Sequence, residues 1–192
     1  MPVLQVYYPQ GSLQGGRKAA LAQRLTDVLL MMEGGAKTPG GMAFAAVLFT
    51  EVPATDWWVG GRTDATYVAP PGKFLIRVDI PEGYMNRSHK SDVHAAVNKA
   101  IVDLTGDPSD PKQGASVLVI VNDVTEGNWG ARGRTISLAA IADSVGLAKT
   151  GERFKWVRNY FAAKARQFGA PGYPPDTGGL LPSESEAEVR SA

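Results

Sequence analysis

VLQVYY, residues 3–8, and LIRVDI, residues 75–80, stand 72 positions apart, and that interval decides the fold. Sliding the sequence by 72 aligns feature after feature without a gap. Gly11 falls on Gly83, and Leu21, Leu25, Val28, Leu29 and Met32 fall on Val93, Val97, Ala100, Ile101 and Leu104. Gly34 then meets Gly106, Pro39 meets Pro111, and VLF at 47–49 meets VIV at 119–121. Glu51 pairs with Asp123, Trp57 with Trp129 and Gly61 with Gly133. An ordered series of this kind is a duplication, and a duplication outranks local propensity in deciding architecture.

Each copy reads alike. A run rich in β-branched residues is a strand. A glycine turn follows, then apolar residues at i, i+4, i+7, i+8 and i+11, which keep one stripe on a helix of period 3.6. Gly34 and Gly106 are read as the glycines just past each helix end. AAVLFTEV (45–52) and SVLVIVNDV (116–124) are the second strands. One crossover helix between two strands makes them parallel with a right-handed connection. The fold class is α/β: two fused βαβ modules, 2–62 and 74–135, forming a four-stranded sheet with two helices on one face. Runs such as VLVIV call for cover on both faces, which two helices cannot give, so an oligomer is expected.

The linker 63–73 belongs to a turn-rich stretch, GGRTDATYVAPPGK, with a short strand expected at 66–68. Residues 136–169 form a helical extension. ISLAAIADSVG reads as one short helix, and Phe154, Val157, Phe161, Ala165 and Phe168 mark the apolar stripe of a longer one. Residues 170–192, rich in Pro, Gly, Ser and Glu, read as an extended or disordered tail. The 192 residues make one compact domain overall.

Composition narrows the function. Lys and Arg number 20 against 19 Asp and Glu, which excludes a globally basic nucleic-acid binder. Zero cysteine excludes disulfide scaffolds, thiolate metal sites and cysteine nucleophiles. His89 and His94 are too few for a histidine-rich metal site. No apolar run approaches the ~20 residues of a membrane span. The opening lacks the layout of a signal peptide, so a cytoplasmic protein is expected. The glycines show no phosphate-loop spacing, and no cofactor or metal is expected. From Lys149 to Arg166 six basic residues face one acid, interleaved with Trp156 and Tyr160. Such a helix suits an anionic partner, but its phenylalanine stripe and the acidic tail favour a packed, solvated helix. Neither nucleic acid nor membrane is an expected partner.

The chemistry points to Pro2. Methionine before proline is normally removed after synthesis, which leaves a free secondary amine. An α-amino group ordinarily titrates near pH ~8, well below lysine, and an apolar pocket lowers that value further. Such an amine is a neutral base at physiological pH, suited to moving a proton between carbon and oxygen.

A Pro2-led strand, the glycine turn, the amphipathic helix and LFTEVPATDWWVGG (48–61) resemble the tautomerase superfamily, typified by 4-oxalocrotonate tautomerase. The second copy carries a looser version, from Asn122-Asp123 through Trp129 to Gly133. MPVLQVYYPQGSL, the AQRLTD helix and the IPEG turn at 80–83 resemble the fused cis-3-chloroacrylic acid dehalogenase group in particular. The resemblance implies a trimer of two-repeat chains, an N-terminal catalytic proline and a small carboxylate substrate. It also marks departures. Leu29 stands where that group has a histidine, Pro81 and Tyr84 where it has arginines, Ile120 where it has a tyrosine, and Asn128 where it has a water-activating glutamate. Asn128 cannot activate water, which argues against hydrolytic dehalogenation. The arginines of the single-copy tautomerases are replaced by Ser12 and Ala46.

A carboxylate must then be held by other residues. Arg132 and Arg134 in GARGRT, Arg77 in mid-strand, Arg87 at a helix start and Arg62 are the candidates, because a guanidinium fork donates two parallel hydrogen bonds to a carboxylate. Arg132 and Arg134 are favoured. Trp57 and Trp129, with Trp58, are candidate walls that exclude water. Phe74 occupies the place of Pro2 in the second copy and has no free amine, so each chain has one candidate base. Glu51 and Asp123 read as structural residues at strand ends. The expected reaction is a tautomerisation of a small 2-hydroxy-alkenoate or 2-oxo acid. The alternatives are a decarboxylase or hydratase on the same proline, or a tautomerase fold without activity.

Overall fold

The computed structural model describes residues 2–32, 37–107, 109–169 and 172–174. Alternation settles which side of each strand turns inward. In β1 (Val3–Pro9), Leu4, Val6 and Tyr8 are buried, and in β3 (Phe74–Pro81) Phe74, Ile76, Val78 and Ile80 are. β2 (Ala46–Val52) and β4 (Val117–Val124) flank them in the order β2-β1-β3-β4. β1 and β2 run parallel, as do β3 and β4, while β1 and β3 meet antiparallel at the centre. Val3 faces Ala46 and, one repeat on, Leu75 faces Leu118, so both modules keep one register. The central pairs Val3–Asp79 and Tyr7–Leu75 are images of each other, which makes the duplication an internal twofold.

The crossover helices α1 (Arg17–Met32) and α3 (Arg87–Thr105) lie on the same face of the sheet. Leu21, Leu25 and Leu29 from one and Val93, Val97 and Ile101 from the other fill the core, each burial contributing about 2 kcal/mol. Gly11 and Gly83, at φ 81° and 77°, turn the chain from strand towards helix in each module. The other face of the sheet is open in the single chain. Leu48, Leu118 and Ile120 are 54%, 60% and 51% exposed there, around a centre formed by Gln5 and Arg77.

The extension forms α4 (Leu138–Val145) and α5 (Glu152–Gly169). Ser137 caps α4, its side chain accepting the Ala140 N–H. Phe154, Val157 and Phe161 join the same core as the strands. Gly83 is needed here for a second reason, since a Cβ would stand 2.6 Å from the Tyr160 ring.

Two local expectations are corrected, and one element is added. Residues 66–68 form a turn, not a strand, because Asp64 accepts the Thr66 N–H and Val68 donates to the Ala65 carbonyl. Gly106 ends α3 at φ −99°, outside the left-handed region. Its need for glycine is steric, since a Cβ would collide with Gln113 and the Val102 carbonyl. A helix α2 (Pro39–Phe44) precedes β2 unforeseen, started by Pro39 and by Thr38, which accepts the Gly41 N–H. Gly34 lies outside the described residues, as does the expected tail apart from 172–174. Two further short strands, β5 (Gly130–Ala131) and β6 (Arg134–Thr135), form a hairpin. Among the described residues no helix is long and apolar enough to cross a membrane.

Candidate functional site

Because β1 and β3 are antiparallel, the start of one lies beside the end of the other. Pro2 is buried there, in the wall of a cavity shared with Ile80 and Pro81. Tyr84 and Met85, from the turn into α3, form a second side. Leu138, Ile141 and Ala142 of α4, with Leu147 beyond it, close the third. The space is about 20 Å³, enough for about one water. Among the described residues no lining side chain carries a formal charge.

One carboxylate holds the backbone of a cavity wall. Glu126 is fully buried, and its Oε1 accepts the N–H of Leu138 at 2.8 Å. Its own N–H donates to Glu82 Oε2 at 3.0 Å. Glu82 also accepts from Tyr160 Oη at 2.6 Å and from Lys164 Nζ, both on α5. Burial pushes the Glu82 carboxyl up, but hydrogen bonds from Lys164, Tyr160 and the Glu126 N–H outweigh it and hold the group below its ordinary range. Burial, and then the Glu82 hydrogen bond, push the Tyr160 phenol well above its ordinary range. Arg153 of α5 packs its guanidinium 5.0 Å from the centre of the Tyr84 ring and donates to the Met32 carbonyl. α5 is thus joined directly to the Tyr84 wall, and through Glu82 to the Glu126 that holds the start of α4.

Arg132 and Arg134 do not enter this cavity. They line a groove of about 450 Å³ between the β5–β6 hairpin, α2 and α4, and Ile141 lines both spaces. Arg132 sits at φ 53°, a left-handed conformation rare outside glycine. Arg77 lies on the open sheet face opposite Gln5, and Arg87 is exposed as the first residue of α3. Trp57 is half-buried, its carbonyl accepting from Lys73 Nζ at 2.8 Å. Trp129 is half-buried too, with an indole nitrogen that is buried and has no hydrogen-bond partner among the described residues. None of these four lines the Pro2 cavity within the single chain. Arg62 is held by Asp64 at 2.6 Å.

The positions at which the sequence departs from the dehalogenase pattern fall in different places. Pro81 and Tyr84 are cavity walls, Leu29 is core, Ile120 is on the open face and Asn128 is exposed. Sequence reasoning passed over Glu126 because the repeat aligns it with Ala54. The available signal was an acid confined to the second copy, in the turn straight after a strand. Glu51 accepts from Tyr8 Oη at 2.8 Å and from Lys18 Nζ at 3.1 Å, contacts within the first module. Among the described residues no three His, Asp or Glu side chains gather as metal ligands.

No family model matches the chain, and no curated protein matches it. Solved structures do. A native fused 4-OT is 28% identical, with a TM-score of 0.56 over 69% of this chain and 94% of its own. An asymmetric trimer of a wild-type fused 4-OT, F6, is 26% identical at TM-score 0.56 with the same coverage. N1, a member of the cis-3-chloroacrylic acid dehalogenase family, is 21% identical at TM-score 0.54, and there the shared fold spans 98% of this chain and 99% of that one. The chain therefore has the fold of the tautomerase superfamily in its fused, two-module form.

Proposed function

We propose that the protein is a cofactor-independent tautomerase in which Pro2, freed by removal of Met1, is the general base for a small 2-hydroxy-alkenoate or 2-oxo acid. The observation that carries this reading is the burial of Pro2 in a largely apolar cavity lined, among the described residues, by no charged side chain. Such walls disfavour the protonated amine, so the nitrogen keeps its lone pair at neutral pH. It takes the proton of the enol hydroxyl as the carbonyl forms and returns it to carbon. Arg132 or Arg134 holds the carboxylate. Three copies assemble on the open sheet face, where Leu48, Leu118 and Ile120 want cover. Any part played by Arg77, Arg87, Trp57 or Trp129 is then played across subunit boundaries.

The test begins with the intact mass of the untagged protein, which must lack one methionine. Ketonisation of 2-hydroxy-alkenoates is then followed for the wild type and Pro2→Ala. Loss of about 10²-fold or more in kcat/KM is expected; a retained Met1 or an equally active variant defeats the proposal.

A second reading is favoured by one observation, the buried Glu126 whose carboxylate holds the backbone of the wall residue Leu138. There a protonated Pro2 donates its proton to carbon while Glu126 activates a water, giving a hydratase. Glu126→Gln separates the two, since it abolishes water addition to an alkynoate and leaves ketonisation within a few-fold.

A further inference from the structure

We infer that Ile141 is the specificity-determining residue of the site: its side chain is the partition between the Pro2 cavity and the arginine groove, and its size sets which carboxylates reach Pro2. The inference rests on the proposed role of Pro2. A space of about 20 Å³ holds a water but no organic acid, and small-molecule sites begin at roughly 300 Å³. The adjoining groove is of that size and carries Arg132 and Arg134, neither of which forms an ion pair among the described residues. Each space is therefore half of a site. The cavity has the base without room or charge, and the groove has room and charge without the base. Among the described residues only Ile141 lines both.

The helix that carries Ile141 is fixed at both ends. Glu126 and Ser137 hold the first turn. At the far end Thr38 Oγ1 donates to the Val145 carbonyl at 2.9 Å, and Gly146 closes the turn in the left-handed region. A Cβ on Gly40 would come within 2.2 Å of the Ser144 carbonyl, so α2 and α4 meet backbone to backbone. With the helix pinned, the movable element between the two spaces is one side chain. A short linear acid, its carboxylate on the arginines, turns Ile141 aside and brings its reacting carbon to Pro2. A branched acid is stopped there.

The experiment reads Pro2 directly, by covalent labelling of the full chain with 2-oxo-alkynoates followed by intact mass and peptide mapping. The amine adds to the β-carbon, the alkyne electron pair passes into an enolate, and the amine's proton is transferred to it; nothing leaves. Linear and branched reagents are used, each as the free acid and as the uncharged methyl ester. Ile141→Ala is expected to speed labelling by the branched acid at least tenfold relative to the linear one, and Ile141→Phe to slow both. Ile141→Val, one methyl smaller, gives a smaller shift in the same direction and serves if alanine unfolds the chain. Arg134→Ala is expected to slow the acids but not the esters. If Pro2 is labelled but no change at 141 alters the branched-to-linear ratio, the partition is refuted while the role of Pro2 stands. If the chain lacks Met1 and Pro2 resists every reagent in every variant, the role of Pro2 falls, and the inference with it.

Discussion

Lys18 holds Glu51 in the first module, and one repeat on Lys90 holds Asp123 in the second. Strand register is common to both, and so is the hairpin that follows: Val59 bridges Arg62 as Ala131 pairs with Arg134. Against that shared frame the modules differ at a few telling positions. Pro2 in the first corresponds to Phe74 in the second, Ala54 to Glu126, Gly60 to Arg132 and Asp64 to Ile136. The first module keeps the residues a hairpin prefers, two left-handed glycines and an arginine neutralised by its own aspartate. The second places an arginine where glycine is easier and removes the aspartate. Folding requires neither change, since the first module does without both. The duplication has divided labour: one copy supplies the candidate base, the other the candidate acid and cations, and the extension that follows supplies the cover.

The sharpest way to break that division is at the two equivalent strand starts. Pro2→Ala exchanges the proposed secondary-amine base for a flexible primary amine and removes little packing, so activity falls about 10²-fold or more with a small change in melting temperature. Phe74→Ala empties a buried ring site and costs about 3–4 kcal/mol, seen in urea unfolding, with no direct loss of chemistry. Equal effects of the two on both readouts would show that the strand starts do the same work.

Next come the paired arginines. Arg134→Ala is expected to raise KM for an anionic substrate about tenfold to a hundredfold, the loss of one charged hydrogen-bonding partner. Arg62→Ala, already satisfied by Asp64, leaves KM within twofold. Adding the missing aspartate with Ile136→Asp should mimic Arg134→Ala without removing the arginine. Steady-state kinetics on the three variants decide it.

How much of this was legible in the sequence follows from the same comparison. Leu21, Leu25, Val93 and Val97 recur because each module must cover the same strip of sheet, so periodicity and the repeat yield the strands, crossover helices and register. The cover over Pro2 is a contact between the chain's start and residues 138–147, and no local pattern records which loop closes over which strand end. Glu126 was missed for a related reason, since a repeat draws attention to what two copies share. The helix α2 is six residues long, too short for any period, and only Thr38 and Pro39 announce it.

A smaller effect concerns the attachment of the extension, which has no counterpart after the first module. Glu82 binds Lys164 and Tyr160 of α5, and its carboxyl lies below its ordinary 4.5. A carboxyl lowered on folding binds fewer protons in the native state than in the unfolded one. Its contribution is therefore complete above about pH 4.5 and is lost as pH falls through the lower native value. Glu82→Gln should lower stability at pH 7 and flatten this acid limb of the melting curve. Gln10, its equivalent in the first module, has no partner on α5 in the described contacts, and Gln10→Glu should leave the limb unchanged.

The smallest expected effect tests whether Arg132 is kept for function against stability. At φ 53° an L-residue with a side chain gives up about 1 kcal/mol, while glycine there is unstrained but gives the unfolded chain more freedom, which offsets about half of the gain. Arg132→Gly, which makes the second hairpin like the first, should therefore raise the melting temperature by about 1–2 °C. If this gain is accompanied by a rise in KM for the acid but not for its methyl ester, the strain and the site belong together. A stabilised variant with unchanged KM would leave Arg134 as the sole carboxylate anchor on the hairpin, and Arg132 as a turn residue held in a costly conformation without return.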